Sequence, residues 1–303
     1  MLVSLTFFHS VANELYDSST HFLLELLQNA DDNKYTTNPT LKLTYKPGVL
    51  RVDSNETGFT RENVEAICAI RNSTKSGQNH SQGYTGEKGI GFKSVFKAAD
   101  EVWISSREYR FKFDKRDEFG MIAPTWADFP DETSPNYTSI YLKLSGDYNA
   151  EELVLNLRRF NATSLLFLRT IRNIEIEVTQ SKEETWRTAL HRADTESSGN
   201  ESIRSLHMGE SKLEYITQRH LVGNLPIEAR RPNYSHSELV LAFPVANFPT
   251  VPLSEPQNVY AFLPISDYGF KVCFLLCNLG YTISPVLVLI TRRLPSHSQS
   301  AVN

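Results

Sequence analysis

Residues 21–33, HFLLELLQNADDN, and residues 86–100, GEKGIGFKSVFKAAD, decide how this chain is read. The first lies in a helical pattern predicted over residues 11–33, where Leu15, Phe22, Leu23, Leu26 and Ala30 line one apolar face. On the same helix Glu25, Asn29 and Asp32 are spaced i, i+4, i+7, forming a stripe set well away from the middle of that face. A carboxylate, an amide and a second carboxylate in a row suit Mg²⁺, which takes few protein oxygens and completes its octahedron with water and phosphate. Glu25 also suits the orientation or deprotonation of a water attacking a γ-phosphate. Spacing alone also describes a solvated helix face.

In the second stretch Gly86, Gly89 and Gly91 fall within six residues and precede a short helix predicted from Phe92. Glycines allow close backbone approach, so successive N–H groups can turn toward an anion, and the helix end adds positive potential. Lys88 and Lys93 supply charge beside it. The alternative is a plain tight turn before a helix. A P-loop fits poorly, because Phe92 stands between Gly91 and Lys93-Ser94 and a polar stretch replaces the preceding strand. No third glycine follows Gly91 where a dinucleotide fingerprint needs one.

Working outward, residues 41–45 and 49–53 read as strands joined by a Pro47-Gly48 turn, and Thr60 as the N-cap of a second helix. Residues 71–85 are a long polar loop. Strands are predicted at 101–105, 109–113, 138–144 and 173–178, with an amphipathic helix over 151–168. In VDSNETGF, residues 52–59, a strand ends where Asp53, Ser54 or Asn55 can meet an adenine edge, and Gly58 gives the backbone room.

The chain has 303 residues, 40% hydrophobic and 22% charged, an ordinary globular composition. A formal net charge of −4 argues against a field that gathers nucleic acid, so a phosphate must be held by local geometry. Three cysteines, Cys68, Cys273 and Cys277, are too few for a disulfide scaffold and point to a reducing, intracellular compartment. The apolar N-terminus lacks the features of a signal peptide, and polar breaks at residues 278–285 disfavour a membrane span.

Four segments together, ELLQNADDN (25–33), NETGF (55–59), NSTKSG (72–77) and TGEKGIGFKS (85–94), resemble in wording and order the nucleotide-binding boxes of the GHKL superfamily. The wording is most similar to the sacsin and NO VEIN-like branch, over about residues 12–180. The resemblance implies an α+β, Bergerat-type two-layer α/β sandwich with a mostly antiparallel sheet. It implies ATP and Mg²⁺ as ligands, with Glu25 activating water, Asn29 on Mg²⁺ and Asp32 near the nucleotide. Gly86, Lys88, Gly89, Ile90, Gly91 and Phe92 would form the phosphate-side loop, and residues 72–83, including Lys75, the lid. Counting back from Gly58, the adenine position falls on Ser54, with Asp53 and Asn55 on either side.

The expected division is an ATP-binding domain over 1–180, a linker over 181–202, a partial strand-rich α/β segment over 203–270, and an atypical tail over 271–303. Relatives carry a Ser-Arg-Glu segment beyond a run like residues 257–270; it is missing here, so the chain is expected to be truncated or its tail mispredicted. The functional expectation is a nucleotide-controlled switch with an unidentified protein partner or client and a chaperone-like role, ATP hydrolysis being left open. The alternative is an interaction module that has lost nucleotide. A protein kinase is not expected, since no separate phosphoacceptor segment accompanies His21.

Overall fold

The computed structural model describes residues 21–68, 91–181, 184–196, 201–223, 237–246, 251–252, 257–261, 263–270 and 273–276. Helix α1 (His21–Asp31) is followed by strands β1 (Thr40–Lys46) and β2 (Val49–Ser54), joined as a hairpin. Gly48 adopts φ +78° in that turn, a conformation an L side chain resists. Helix α2 (Arg61–Cys68) begins after Thr60, whose hydroxyl and carbonyl both accept from the Asn63 amide. A 3₁₀ helix (Phe92–Lys97) leads to β3 (Ala99–Ser106), β4 (Tyr109–Asp114), the two-residue β5 (Thr125–Trp126) and β6 (Thr138–Leu144).

Helix α3 (Ala150–Arg159) is shorter than the sequence pattern over 151–168 predicts. Phe160 leaves the helix with ψ 130°, and Asn161 starts a separate 3₁₀ turn (Ala162–Leu165), its side chain accepting from the Thr163 amide. Local capping chemistry thus outcompetes continued helix. Strand β7 (Asn173–Thr179) follows, then β8 (Thr185–Glu196), β9 (Glu201–Met208), β10 (Ser211–Val222), β11 (Ser237–Ala246), β12 (Val251–Pro252), β13 (Gln257–Ala261), β14 (Leu263–Phe270) and β15 (Cys273–Leu276).

The fifteen strands of the described residues join one mixed sheet, in the order β14-β13-β15-β11-β10-β9-β8-β7-β1-β2-β6-β3-β4-β5, with β12 paired to β11. The neighbours β1·β7 and β13·β15 are parallel and the remaining pairs antiparallel. This overturns the expected GHKL two-layer α/β sandwich with a partial second α/β segment. The described residues hold only three α-helices beside a large mixed sheet. The reason is an open edge: β7 bonds β1 on one side, and its other edge accepts β8 in register from Asn173↔His191 to Thr179↔Thr185. Residues 181–202, read as a linker, therefore contain β8 and the start of β9.

Helix α1 packs its apolar face on this sheet. Phe22, Leu23, Leu26 and Leu27 are all buried, each contributing about 1.5–3 kcal/mol by removal from water. The same core cluster includes Leu41, Leu43, Val95, Leu153 and Ile174. The helix thereby joins the core, with Asn29 beside Leu26 and Ala30 in the lining of a cleft.

Candidate functional site

A cleft of about 700 Å³, counting its open mouth, lies between α1, α2 and the ends of β2 and β6. Leu26, Asn29, Ala30 and Asn33 form the α1 wall and Asn63 and Ile67 the α2 wall, with Phe59 and Phe92 also in the lining. Val52, Ser54, Thr138 and Ile140 come from the sheet, Ser54 and Thr138 being register partners on β2 and β6. The lining is largely apolar with a few placed polar groups, as a small-molecule site requires.

The polar floor has a defined donor sense. Tyr35 Oη donates to the Ala30 carbonyl at 2.7 Å and lies 2.8 Å from Ser54 Oγ. A phenol has one proton, and here it is committed to Ala30. Ser54 must therefore donate to Tyr35, which leaves its oxygen only lone pairs to offer the cleft. Burial pushes the Tyr35 phenol well above its ordinary value, so this arrangement survives across neutral pH. On the neighbouring strands Ser106 Oγ accepts from the Phe59 amide at 2.8 Å and is 2.6 Å from Thr138 Oγ1. Glu56, buried and in the lining, adds a carboxylate to the same floor.

Glu25 sits one turn before Asn29. Its carboxylate presses so close to Gly91 that a β-carbon there would overlap it. The first helix and the end of the glycine stretch thus meet. Burial raises the Glu25 pKa, and His21 lies 3.6 Å from the carboxylate. The His21 pKa is lowered, chiefly by burial and then by the charge of Lys97.

The structure separates the predicted residues. Asn29, Ser54 and Phe92 line the cleft, and Glu25 and Gly91 touch each other beside it. Asp32 instead pairs with Arg169 at 3.4 Å. Asp53 points to the opposite sheet face from Ser54, gripped by Arg51 Nε at 2.8 Å and by the Ser139 hydroxyl at 2.5 Å. Asn55 accepts from the Thr40 amide at 2.7 Å and donates to the Asn38 carbonyl, bracing its own loop. Gly58 has φ +86° and lies under Arg107, turning the chain so that Phe59 enters the cleft. Lys75, Gly86, Lys88, Gly89, Ile90 and residues 72–83 lie outside the described residues.

Sequence reasoning passed over Asn33, Tyr35, Glu56, Asn63 and Thr138. Asn33 and Glu56 stand inside the quoted boxes and were legible there, whereas nothing local marks Tyr35. It also passed over Asp31, which is buried and accepts from the Arg169, Thr170 and Ile171 amides at 2.7, 2.8 and 2.8 Å. Among the described residues no group of three or more His, Cys, Asp or Glu converges on a metal position, and no helix is long and apolar enough to cross a membrane.

No family model matches the chain. A stretch of 118 residues, 38% of this chain, is 48% identical to Protein NO VEIN of Arabidopsis thaliana. The match spans 4% of the length of that much longer relative.

Proposed function

We propose that the cleft binds ATP accompanied by Mg²⁺, and that nucleotide binding biases the placement of α1 and α2 against the sheet, making the chain a conformational switch. The observation that carries this reading is the Ser54 oxygen, held by Tyr35 as a pure acceptor at the end of an apolar cleft. An exocyclic amine on a flat ring matches it; a carbonyl oxygen in the same place meets lone pairs. Support also comes from the likeness of the ELLQNADDN, NETGF and TGEKGIGFKS segments to nucleotide-binding boxes and from the partial match to Protein NO VEIN.

The donor set suits an ion delivered with its nucleotide. Asn29 offers an amide oxygen in the cleft, and phosphate and water would supply the other ligands of an ion that needs few from protein. Mg²⁺ bound there supplies charge neutralisation for phosphate. Glu25, half-withdrawn from water and with a raised pKa, is the group that orients or takes a proton from an attacking water.

Calorimetry with Mg-ATP on the full chain tests the reading. Wild type releases heat, Asn29→Ala releases markedly less, and Mg-GTP binds about 10- to 100-fold more weakly because an unmatched acceptor is buried. No heat for wild type, or identical heat for Asn29→Ala, rejects it in favour of an interaction module without nucleotide. Glu25→Ala keeps the affinity and abolishes phosphate release; unchanged release rejects Glu25 as the base.

A further inference from the structure

On the far side of β7 from the cleft, His191 of β8 and His207 of β9 are direct cross-strand partners. Their ring centroids are 5.9 Å apart, with planes inclined by 37°. The adjoining residues Leu190, Arg192 and Leu206 are buried on the core side, so the two imidazoles stand on the other face, His191 exposed and His207 half-buried.

Three hydrogen bonds fix the tautomer of His191. The Thr40 hydroxyl donates to the Asn38 carbonyl at 3.1 Å, so toward Asn173 it acts as an acceptor. Asn173 Nδ2 donates to it at 3.2 Å, which turns Asn173 Oδ1 toward His191. His191 Nδ1 lies 2.7 Å from that oxygen and must carry the proton. Its Nε2 is left with a bare lone pair. A histidine whose other nitrogen donates to a carbonyl-type oxygen is the arrangement that orients metal ligands and raises their basicity.

We propose that His191 and His207 form a two-imidazole site for a late first-row divalent ion such as Zn²⁺, with Asn173 orienting His191. Metal–nitrogen bonds of about 2.0–2.1 Å from each ring span the gap after small side-chain rotations. Imidazole nitrogens favour Zn²⁺, Ni²⁺ and Cu²⁺ over Mg²⁺ or Ca²⁺. Ala189 and Ala193, which flank His191 on its own face, are small and leave the approach open. The one ammonium opposite His207, that of Lys212, is drawn aside by Glu214 at 2.8 Å. With two protein ligands, the remaining positions hold water or an exogenous group. The site is independent of the nucleotide reading, since none of its residues lines the cleft.

Zn²⁺ titrated into the full chain is the test, by calorimetry at neutral pH without nucleotide. Wild type binds one equivalent more than the His191→Ala/His207→Ala double variant. Each single variant loses that equivalent, and Asn173→Ala weakens it about 10- to 100-fold. In wild type alone, Zn²⁺ protects His191 and His207 together from diethyl pyrocarbonate while His220 on β10 stays reactive, a readout that needs no variant to fold. Equal stoichiometry in wild type and double variant, or carbethoxylation of both rings unchanged by Zn²⁺, overturns the proposal.

Discussion

The carboxylate of Glu25 occupies the space that a β-carbon on Gly91 would need. Gly91 has φ −58°, so its backbone strains nothing, and what demands glycine is the approach of the helix side chain. The obstacle is the far end of a flexible chain, which can swing aside. Gly91→Ala is therefore expected to cost less than about 1 kcal/mol of stability while displacing the carboxylate. Urea unfolding and phosphate release measured on the same variant check this: a near-normal midpoint with release reduced at least tenfold is the expected pair. A normal release rate would mean that the contact has no part in positioning Glu25.

Adjacent aspartates on α1 have unequal duties. Asp31 accepts three backbone amides at the entrance to β7 and is wholly buried. Asp31→Ala strands those donors and is expected to cost about 3–5 kcal/mol, while Asp32→Ala, whose carboxylate is buried but whose partner Arg169 is half exposed, costs less, about 1–2 kcal/mol. Equilibrium denaturation of the two variants distinguishes them. Equal losses would refute the assignment.

The pH dependence follows from the sign of the Glu25 shift. Its folded-state pKa is raised by burial, so the folded state holds this proton more tightly than the unfolded chain. The resulting stability is present below the ordinary glutamate range and is lost as pH rises through the raised value. His21 acts in the other direction: its lowered pKa makes stability fall as pH drops below the ordinary histidine range. Glu25→Gln removes only the first effect. Relative to wild type, the variant should gain stability as pH climbs from about 4 to 7. Urea midpoints across that range should diverge in favour of Gln; parallel curves would show that the carboxylate is not desolvated.

How far the sequence reveals this molecule depends on what faces the core. The β1–β2 hairpin was legible because Leu41, Leu43, Leu50 and Val52 alternate inward around a Pro-Gly turn. The strands beyond β7 were not, because inward positions of β8 and β9 carry Arg192 and Arg204 among Leu190 and Leu206. Charged residues at buried positions erase the period-two signal, so residues 181–202 read as solvated linker. The site shows the same limit. Asn29 followed from helix spacing, and Ser54 from counting within a box. But the choice of Ser54 over Asp53 rests on strand parity and on Tyr35, a residue nineteen positions away that no local pattern connects to it.

Those buried arginines allow a final prediction. Arg192 Nη1 donates to the Leu165 and Leu168 carbonyls at 2.6 and 2.5 Å, and Arg204 Nη1 to that of Leu166, tying β8 and β9 to the 3₁₀ turn and the residues just after it. Burial, reinforced by the neighbouring Arg204, lowers the Arg192 pKa to about 9, and burial lowers that of Arg204 as well; a guanidinium keeps its charge at neutral pH. Asp194 is the counter-ion, 2.9 Å from Arg192 Nε and 4.0 Å from Arg204 Nε. Asp194 also meets Arg172 Nη2 at 3.2 Å and is itself a quarter exposed; removing its charge leaves the buried Arg192 and Arg204 without a counter-ion, so Asp194→Asn should cost about 1.5–3 kcal/mol. Arg192→Met in the Asp194→Asn background removes one of the stranded charges and should recover part of that loss. Thermal unfolding of wild type, single and double variants gives the comparison; a double variant less stable than Asp194→Asn alone would show that the carbonyl contacts of Arg192, rather than charge balance, hold this junction.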